Sequence, residues 1–84
     1  MAHYLIICRS LTYAQRTASL LERAGISAYI MRSPKSVDEE GCSHAVRIKE
    51  RNVTQALKIL AREGLSPKRV FILSGDGDYR EVFL

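Results

Sequence analysis

Apolar and polar positions along the 84-residue chain predict four strands and two helices. Four stretches are apolar throughout or at every second position, the pattern of buried strands, and these are residues 3–9, 26–32, 42–49 and 69–73. Helices are expected after residue 10 and around residues 52–63, where apolar side chains recur at intervals of three and four. The stretch from Tyr79 to Leu84 is compatible with a short fifth strand in a C-terminal hairpin.

Small polar residues and glycines mark the expected ends of both helices. Ser10 is one candidate N-cap of the first helix, and Thr12, which begins a capping-box pattern, is the alternative. Asn52 has the same kind of pattern before the second helix. Gly25 and Gly64 are the expected C-terminal stops, because glycine readily takes the left-handed conformation in which helices end.

The resulting order of elements predicts an α+β fold of the ferredoxin-like type, βαββαβ with a possible extra C-terminal strand. Right-handed crossovers would place the first and third strands at the centre of an antiparallel sheet, with two helices on one face. Residues 1–84 are expected to form a single domain, since a chain of this length builds one modest core. The first and fourth strands are apolar on both sides, so a homodimer is expected to bury the open sheet face.

Composition and charge narrow the functional classes. With 46% hydrophobic and 26% charged residues, the chain is expected to be globular, and no apolar run approaches the ~20 residues that span a bilayer. The strand pattern begins directly at the N-terminus without the features of a signal peptide, which favours a cytoplasmic location and reduced cysteines. A net charge of +4 permits acidic ligands or nucleic acid as partners, although interleaved acids favour an ordinary solvated surface.

The predicted topology brings several chemically active residues to one edge of the sheet, where two strands end, a third begins and the first helix starts. They are Cys8, Arg9, Ser10, Thr12, Arg32 and Cys42. The helix N-terminus and the two arginines favour an anion or a thiolate, so a Cys42 thiol placed there is expected to be nucleophilic. A lone cysteine at a strand start is more often a small buried hydrophobe, and the residues by themselves leave both interpretations open.

The other candidates have simpler interpretations. Cys8 continues an apolar strand and is expected in the core, although its proximity to Cys42 makes it a candidate redox partner through a reversible disulfide. Cys42 and His44 share a strand face, but a zinc site needs three or four ligands, so no metal is predicted. No general base is visible for hydrolytic catalysis.

Three stretches resemble the family of selenium/sulfur carrier-like proteins, formerly a domain of unknown function: residues 4–10 (YLIICRS), 32–35 (RSPK) and 41–48 (GCSHAVRI). The resemblance implies that Cys42 is the family's characteristic cysteine and that it carries sulfur or selenium as a persulfide or perselenide. It also implies a sulfur or selenium donor as partner, and no cofactor. Ser43 follows Cys42 where family members often have glycine, so a cysteine–glycine turn is not carried over.

Two functions therefore compete at this point. The first is a carrier that uses Cys42 and is not a true enzyme. The second is a non-catalytic, dimeric ferredoxin-like module that binds an acidic small ligand or nucleic acid. The third strand lacks the aromatic side chains on which RNA-reading sheets stack bases, and this disfavours nucleic acid.

Overall fold

The computed structural model describes residues 2–38, 43–67 and 69–82. Its elements in chain order are β1 (His3–Cys8), α1 (Leu11–Arg23), β2 (Tyr29–Arg32), β3 (His44–Lys49), a 3-10 turn (Glu50–Asn52), α2 (Val53–Arg62), β4 (Arg69–Leu73) and β5 (Tyr79–Val82). The described residues thus form an α+β structure with two α-helices and a five-stranded antiparallel sheet. This confirms the predicted class.

The strands are ordered β2-β3-β1-β4-β5. β1 pairs with β3 on one side and with β4 on the other, and both pairings are antiparallel. β5 extends the sheet beyond β4, at the place where the sequence allowed a fifth strand, so the sheet has one strand more than the four of a βαββαβ arrangement. A tight turn connects β4 to β5. In this turn, Asp76 Oδ1 accepts the Asp78 N–H at 3.1 Å and lies 2.8 Å from Ser74 Oγ.

Both helices pack on one face of the sheet around a shared core. The buried members of this helix-side core are Ile6, Cys8, Ala14, Ala18, Leu21, Ile26, Val46, Ile48, Ala56, Ile59 and Leu60. Even-numbered positions of β1 and β3 therefore face the helices, because successive side chains of a strand point to opposite faces.

The opposite face of the sheet is covered by the chain itself. Leu5 and Ala45 are 0% exposed and Phe71 is 6% exposed, and Val37 from the β2–β3 connection packs against them. The guanidinium of Arg69 lies 4.9 Å from the centroid of the Phe71 ring. The expected homodimer was argued from an uncovered apolar face, and that argument fails here because the centre of the face is buried within one chain. Dimerisation stays a prediction without this support.

α1 ends in a Schellman motif at Gly25. The Gly25 N–H donates to the Glu22 carbonyl and the Ile26 N–H donates to the Leu21 carbonyl, both at 3.0 Å. Gly25 has a φ of 85°, the left-handed conformation that this motif requires. The predicted stop is confirmed.

α2 ends in the same way at Gly64. The Gly64 N–H donates to the Ala61 carbonyl at 3.2 Å, and the Leu65 N–H donates to the Leu60 carbonyl at 2.8 Å. The φ of Gly64 is 74°. In both motifs the residue after glycine packs against the helix-side core, so each glycine turns the chain back into the core.

The two helices begin differently. Ser10 is the N-cap of α1, and its Oγ accepts the Tyr13 N–H at 3.3 Å, so Thr12 lies within the first turn and does not cap it. Asn52 makes no side-chain capping bond and has φ −101° and ψ −3°. Asn52 thus occupies the predicted N-cap position of α2 but does not cap it through its side chain, and the 3-10 turn Glu50–Asn52 leads directly into the helix.

β2 is shorter than predicted. Ile26 takes part in the motif that ends α1, and the Ala28 N–H donates to Glu22 Oε1 at 3.0 Å. These hydrogen bonds involve the residues before Tyr29, so pairing with β3 begins only at Tyr29. β3 begins at His44 among the described residues, and the predicted start at Cys42 lies outside them.

Replacing Gly25 with alanine is expected to lower the free energy of unfolding by about 1 kcal/mol, because a Cβ disfavours a left-handed φ. No heavy atom would lie within 4 Å of the new methyl group, so the cost comes from the backbone alone. Urea unfolding measures it. Gly75→Ala is the matched control, since Gly75 is equally uncrowded and lacks a positive φ. Equal losses in the two variants would contradict the assignment.

Candidate functional site where strands β1, β2 and β3 meet

Strand pairing places Cys8, His44 and Arg32 in one row across the sheet. Cys8 is opposite His44 in the β1–β3 pairing, and Arg32 is opposite His44 in the β2–β3 pairing. Opposed residues point to the same face with Cβ atoms about 5 Å apart. The row therefore faces the helices, and Arg9 and Ser10 continue from its Cys8 end.

Cys42, on which the carrier prediction depends, lies outside the described residues. It directly precedes Ser43 in the chain and is two residues before His44. Its proximity to Cys8, and hence the proposed disulfide, stays a prediction. The surroundings of the candidate site are nevertheless defined by the described residues on both sides of the segment 39–42.

Ser33, Asp38 and Ser43 form a hydrogen-bonded cluster that we call the loop clamp. Asp38 Oδ2 accepts the Ser43 N–H at 3.0 Å and lies 2.6 Å from Ser43 Oγ. Ser43 Oγ is also 2.8 Å from Ser33 Oγ, and the Ser33 N–H donates to the Ser43 carbonyl at 3.1 Å. Ser33 is only 4% exposed. The clamp therefore ties together the residues that precede and follow the segment 39–42.

The predicted anion-binding residues have different environments. The Arg9 guanidinium lies 5.1 Å from the centroid of the Tyr13 ring, a cation–π contact. Arg32 is exposed at the edge of the sheet. The hydroxyl of Ser10 is engaged in capping α1, and Thr12 is exposed in the first turn. Arg9 and Ser10 thus adjoin Cys8, whereas Arg32 stands on the far side of His44.

Cys8 is a core thiol, as its place in an apolar strand predicted, and it is 7% exposed. Its Sγ lies 3.8 Å from the Ile6 carbonyl oxygen and 3.9 Å from Thr17 Oγ1. Burial raises the pKa of the Cys8 thiol, and the smaller effect of the Thr17 hydrogen bond opposes it. The neutral thiol is a poor nucleophile, so Cys8 is chemically quiet near neutral pH.

His44 carries a polar atom without a partner. Its Nδ1 is buried and makes no hydrogen bond within the part of the chain that the structure describes. Such nitrogens are rare in folded proteins because desolvating them without compensation is costly. In the sequence, the signal of a role for His44 was its spacing of two from Cys42, which places both residues on one strand face.

Other kinds of site find no support among residues 2–38, 43–67 and 69–82. No three His, Cys, Asp or Glu side chains are grouped there in a way that would hold a metal ion. Neither α1 nor α2 has the length and apolar character needed to cross a membrane.

The family model described as "Putative Se/S carrier protein-like" matches residues 3–72. The chain belongs to this family. The match runs from the first residue of β1 into β4 and includes both cysteines, so it confirms the resemblance seen in the sequence. No curated protein and no solved structure gives a significant match. Within this Se/S carrier-like chain, Cys8 is the cysteine of the core and Cys42 is the one next to the loop clamp in sequence.

In a Cys42→Ser variant, Cys8 is the remaining thiol, and iodoacetamide is expected to alkylate it slowly at neutral pH. Because burial raises its pKa, the rate should rise at higher pH in the folded protein than in the urea-unfolded chain. The folded protein then holds the Cys8 proton to a higher pH than the unfolded chain does. The contribution of this group to stability is present below the unfolded thiol pKa of about 8.5, and it is lost as the pH rises through the raised pKa of the folded thiol. Identical folded and unfolded profiles would contradict the burial effect.

Asp38→Ala is expected to lower the free energy of unfolding by roughly 1–3 kcal/mol, because the carboxylate bonds both the N–H and the hydroxyl of Ser43. Thermal and urea unfolding measure the loss. Asp78→Ala is the matched control, since the exposed turn uses the Asp78 backbone and should change little. A loss in the control as large as in Asp38→Ala would argue against the clamp.

Proposed function

We propose that this protein carries sulfur or selenium on the thiol of Cys42, as a persulfide or perselenide. The observation that carries the proposal is membership of the Se/S carrier-like family through a match that includes Cys42. The loop clamp and the row of Cys8, His44 and Arg32 support it. They place polar and charged groups near the described residues that flank the segment 39–42.

Loading would proceed by transfer of a sulfane sulfur. The Cys42 thiolate attacks the outer sulfur of a donor persulfide, a new S–S bond forms on Cys42, and the donor's S–S bond breaks. The donor leaves as a thiolate that takes up the proton lost by Cys42. The exchange is balanced without an external oxidant or reductant, and the same steps with a perselenide transfer selenium.

Some charged groups near this end of the sheet favour a Cys42 thiolate, and one disfavours it. Arg32, Arg9 and the N-terminus of α1 favour the anion, and no acidic residue in the first turn of α1 opposes them. The Asp38 carboxylate in the loop clamp disfavours it. His44 Nδ1, which has no partner among the described residues, is the group that we propose to hydrogen-bond the thiol or take its proton.

The remaining features of the proposal follow from the same role. A donor protein supplies the cargo, and a cytoplasmic location, where thiols stay reduced, suits a carrier that works through a free cysteine. We interpret the fold as a ferredoxin-like sheet to which β5 has been added at one edge. In a homodimer, contacts would lie outside the self-covered centre of the second face.

Incubation with a small-molecule persulfide donor is expected to add one sulfur atom to Cys42, as read by intact-protein and peptide mass spectrometry. Cys42→Ser should abolish the adduct, whereas Cys8→Ala should retain it, because Cys8 is buried and favours the neutral thiol. Circular dichroism of both variants serves as the control for folding.

Labelling confined to Cys8, or equal labelling of wild type and Cys42→Ser, would defeat the carrier proposal. Treatment with a mild thiol reductant removes a true persulfide and restores the starting mass, which distinguishes it from irreversible oxidation of the thiol.

A further inference from the structure

A cleft of about 290 Å³ opens at the end of β1, between the first turns of α1 and the connection from α2 to β4. Its walls include Cys8, Arg9, Tyr13, Thr17, Leu65 and Arg69. The volume is at the lower end of the range for small-molecule sites, roughly 300–1,000 Å³. The described residues that line this cleft include no member of the loop clamp.

The floor of the cleft is mostly apolar with two polar groups. Ile6 and Leu65 supply apolar surface, while the Cys8 thiol and the Thr17 hydroxyl lie 3.9 Å apart beside them. Thr17 is 2% exposed and Cys8 is 7% exposed. A ligand that entered would therefore bury an apolar body against a floor that offers only weak hydrogen bonds.

The rim of the cleft is cationic. The arginines that line it are Arg9 and Arg69, and the Arg9 guanidinium lies 5.1 Å from the centroid of the Tyr13 ring. Within the described residues Arg9 makes no ion pair, whereas Arg69 is bound to Glu81 at 3.0 Å. Among the described residues, Arg9 therefore contributes a charge that is not paired with a carboxylate.

Two further features add to this positive field. The N-terminus of the 13-residue helix α1 lies at the same end of the cleft, and its first turn contains no acidic residue. None of the described residues that line the cleft is acidic either. An apolar interior under a cationic rim matches a small organic anion with an apolar body, and it is too small for a nucleic acid strand.

We propose that this cleft binds a small organic carboxylate, with its apolar body against Ile6 and Leu65 and its carboxylate beside Arg9. The cleft shares Cys8, Arg9 and the N-terminus of α1 with the proposed carrier site, but binding of the carboxylate requires neither the Cys42 thiol nor a persulfide. Tyr13 acts as a positioning residue, since its ring holds the guanidinium of Arg9 at the rim.

The test is a titration of the ¹⁵N-labelled protein with benzoate, followed by amide chemical shifts. Benzoate is expected to shift the amides of Cys8, Thr17 and Leu65, and neutral benzamide should bind more weakly. Arg9→Gln should raise the dissociation constant of benzoate roughly fivefold. Arg51→Gln, which removes an exposed arginine of the 3-10 turn, is the charge-matched control and should leave the constant unchanged.

A second measurement uses Cys8 as a reporter. In the Cys42→Ser variant, benzoate should slow the alkylation of Cys8 by iodoacetamide, because it occupies the space beside the thiol. The proposal is overturned if benzoate shifts no cleft amides, if Arg9→Gln and Arg51→Gln weaken binding equally, or if benzoate leaves the alkylation rate unchanged. Retained benzoate binding in Cys42→Ser alongside failed persulfide loading in wild type would sink the carrier function and leave this site standing.

Discussion

The antiparallel register between β1 and β3 is the constraint on which the other features of this structure depend. It aligns Ile6 with Val46 and Leu5 with Arg47, so each strand divides its apolar side chains between two cores. A slip of β3 by one residue against β1 would exchange the two faces of β3 and remove Val46 from contact with the helices. The same register brings His44 opposite Cys8, so the position of the candidate site follows from the packing of the core.

The centre of each sheet face is buried, but by different means. Two helices cover one face, and the β2–β3 connection covers part of the other through Val37. Asp38 follows Val37 directly and bonds to Ser43, so the connection that completes the second core also closes the loop clamp. The second core and the loop clamp are therefore coupled, since the same short connection contributes to both.

Local patterns in the sequence were sufficient for much of this structure. β4 agrees with its apolar run, and Gly25 and Gly64 end their helices because a left-handed φ at a helix end is a local requirement. The start of β2 could not be predicted in this way, since it depends on the Glu22 side chain bonding the Ala28 N–H across the end of α1. The burial of the second sheet face was not predicted from the sequence for a similar reason. The apolar pattern showed that Leu5 and Phe71 needed burial, but not that a polar connection would fold back over the sheet.

The candidate site, too, could be predicted from the sequence only in part. The convergence of Cys8, Arg9 and Arg32 follows from strand order alone, whereas the loop clamp and the contact of Arg9 with Tyr13 depend on tertiary geometry. This geometry also separates the two cysteines chemically. Cys8 is held in the core, where burial raises its pKa and keeps the thiol neutral. A neutral, buried thiol is a poor nucleophile. Under the proposed carrier function, burial of Cys8 would therefore explain why the cargo is carried by Cys42 and not by Cys8.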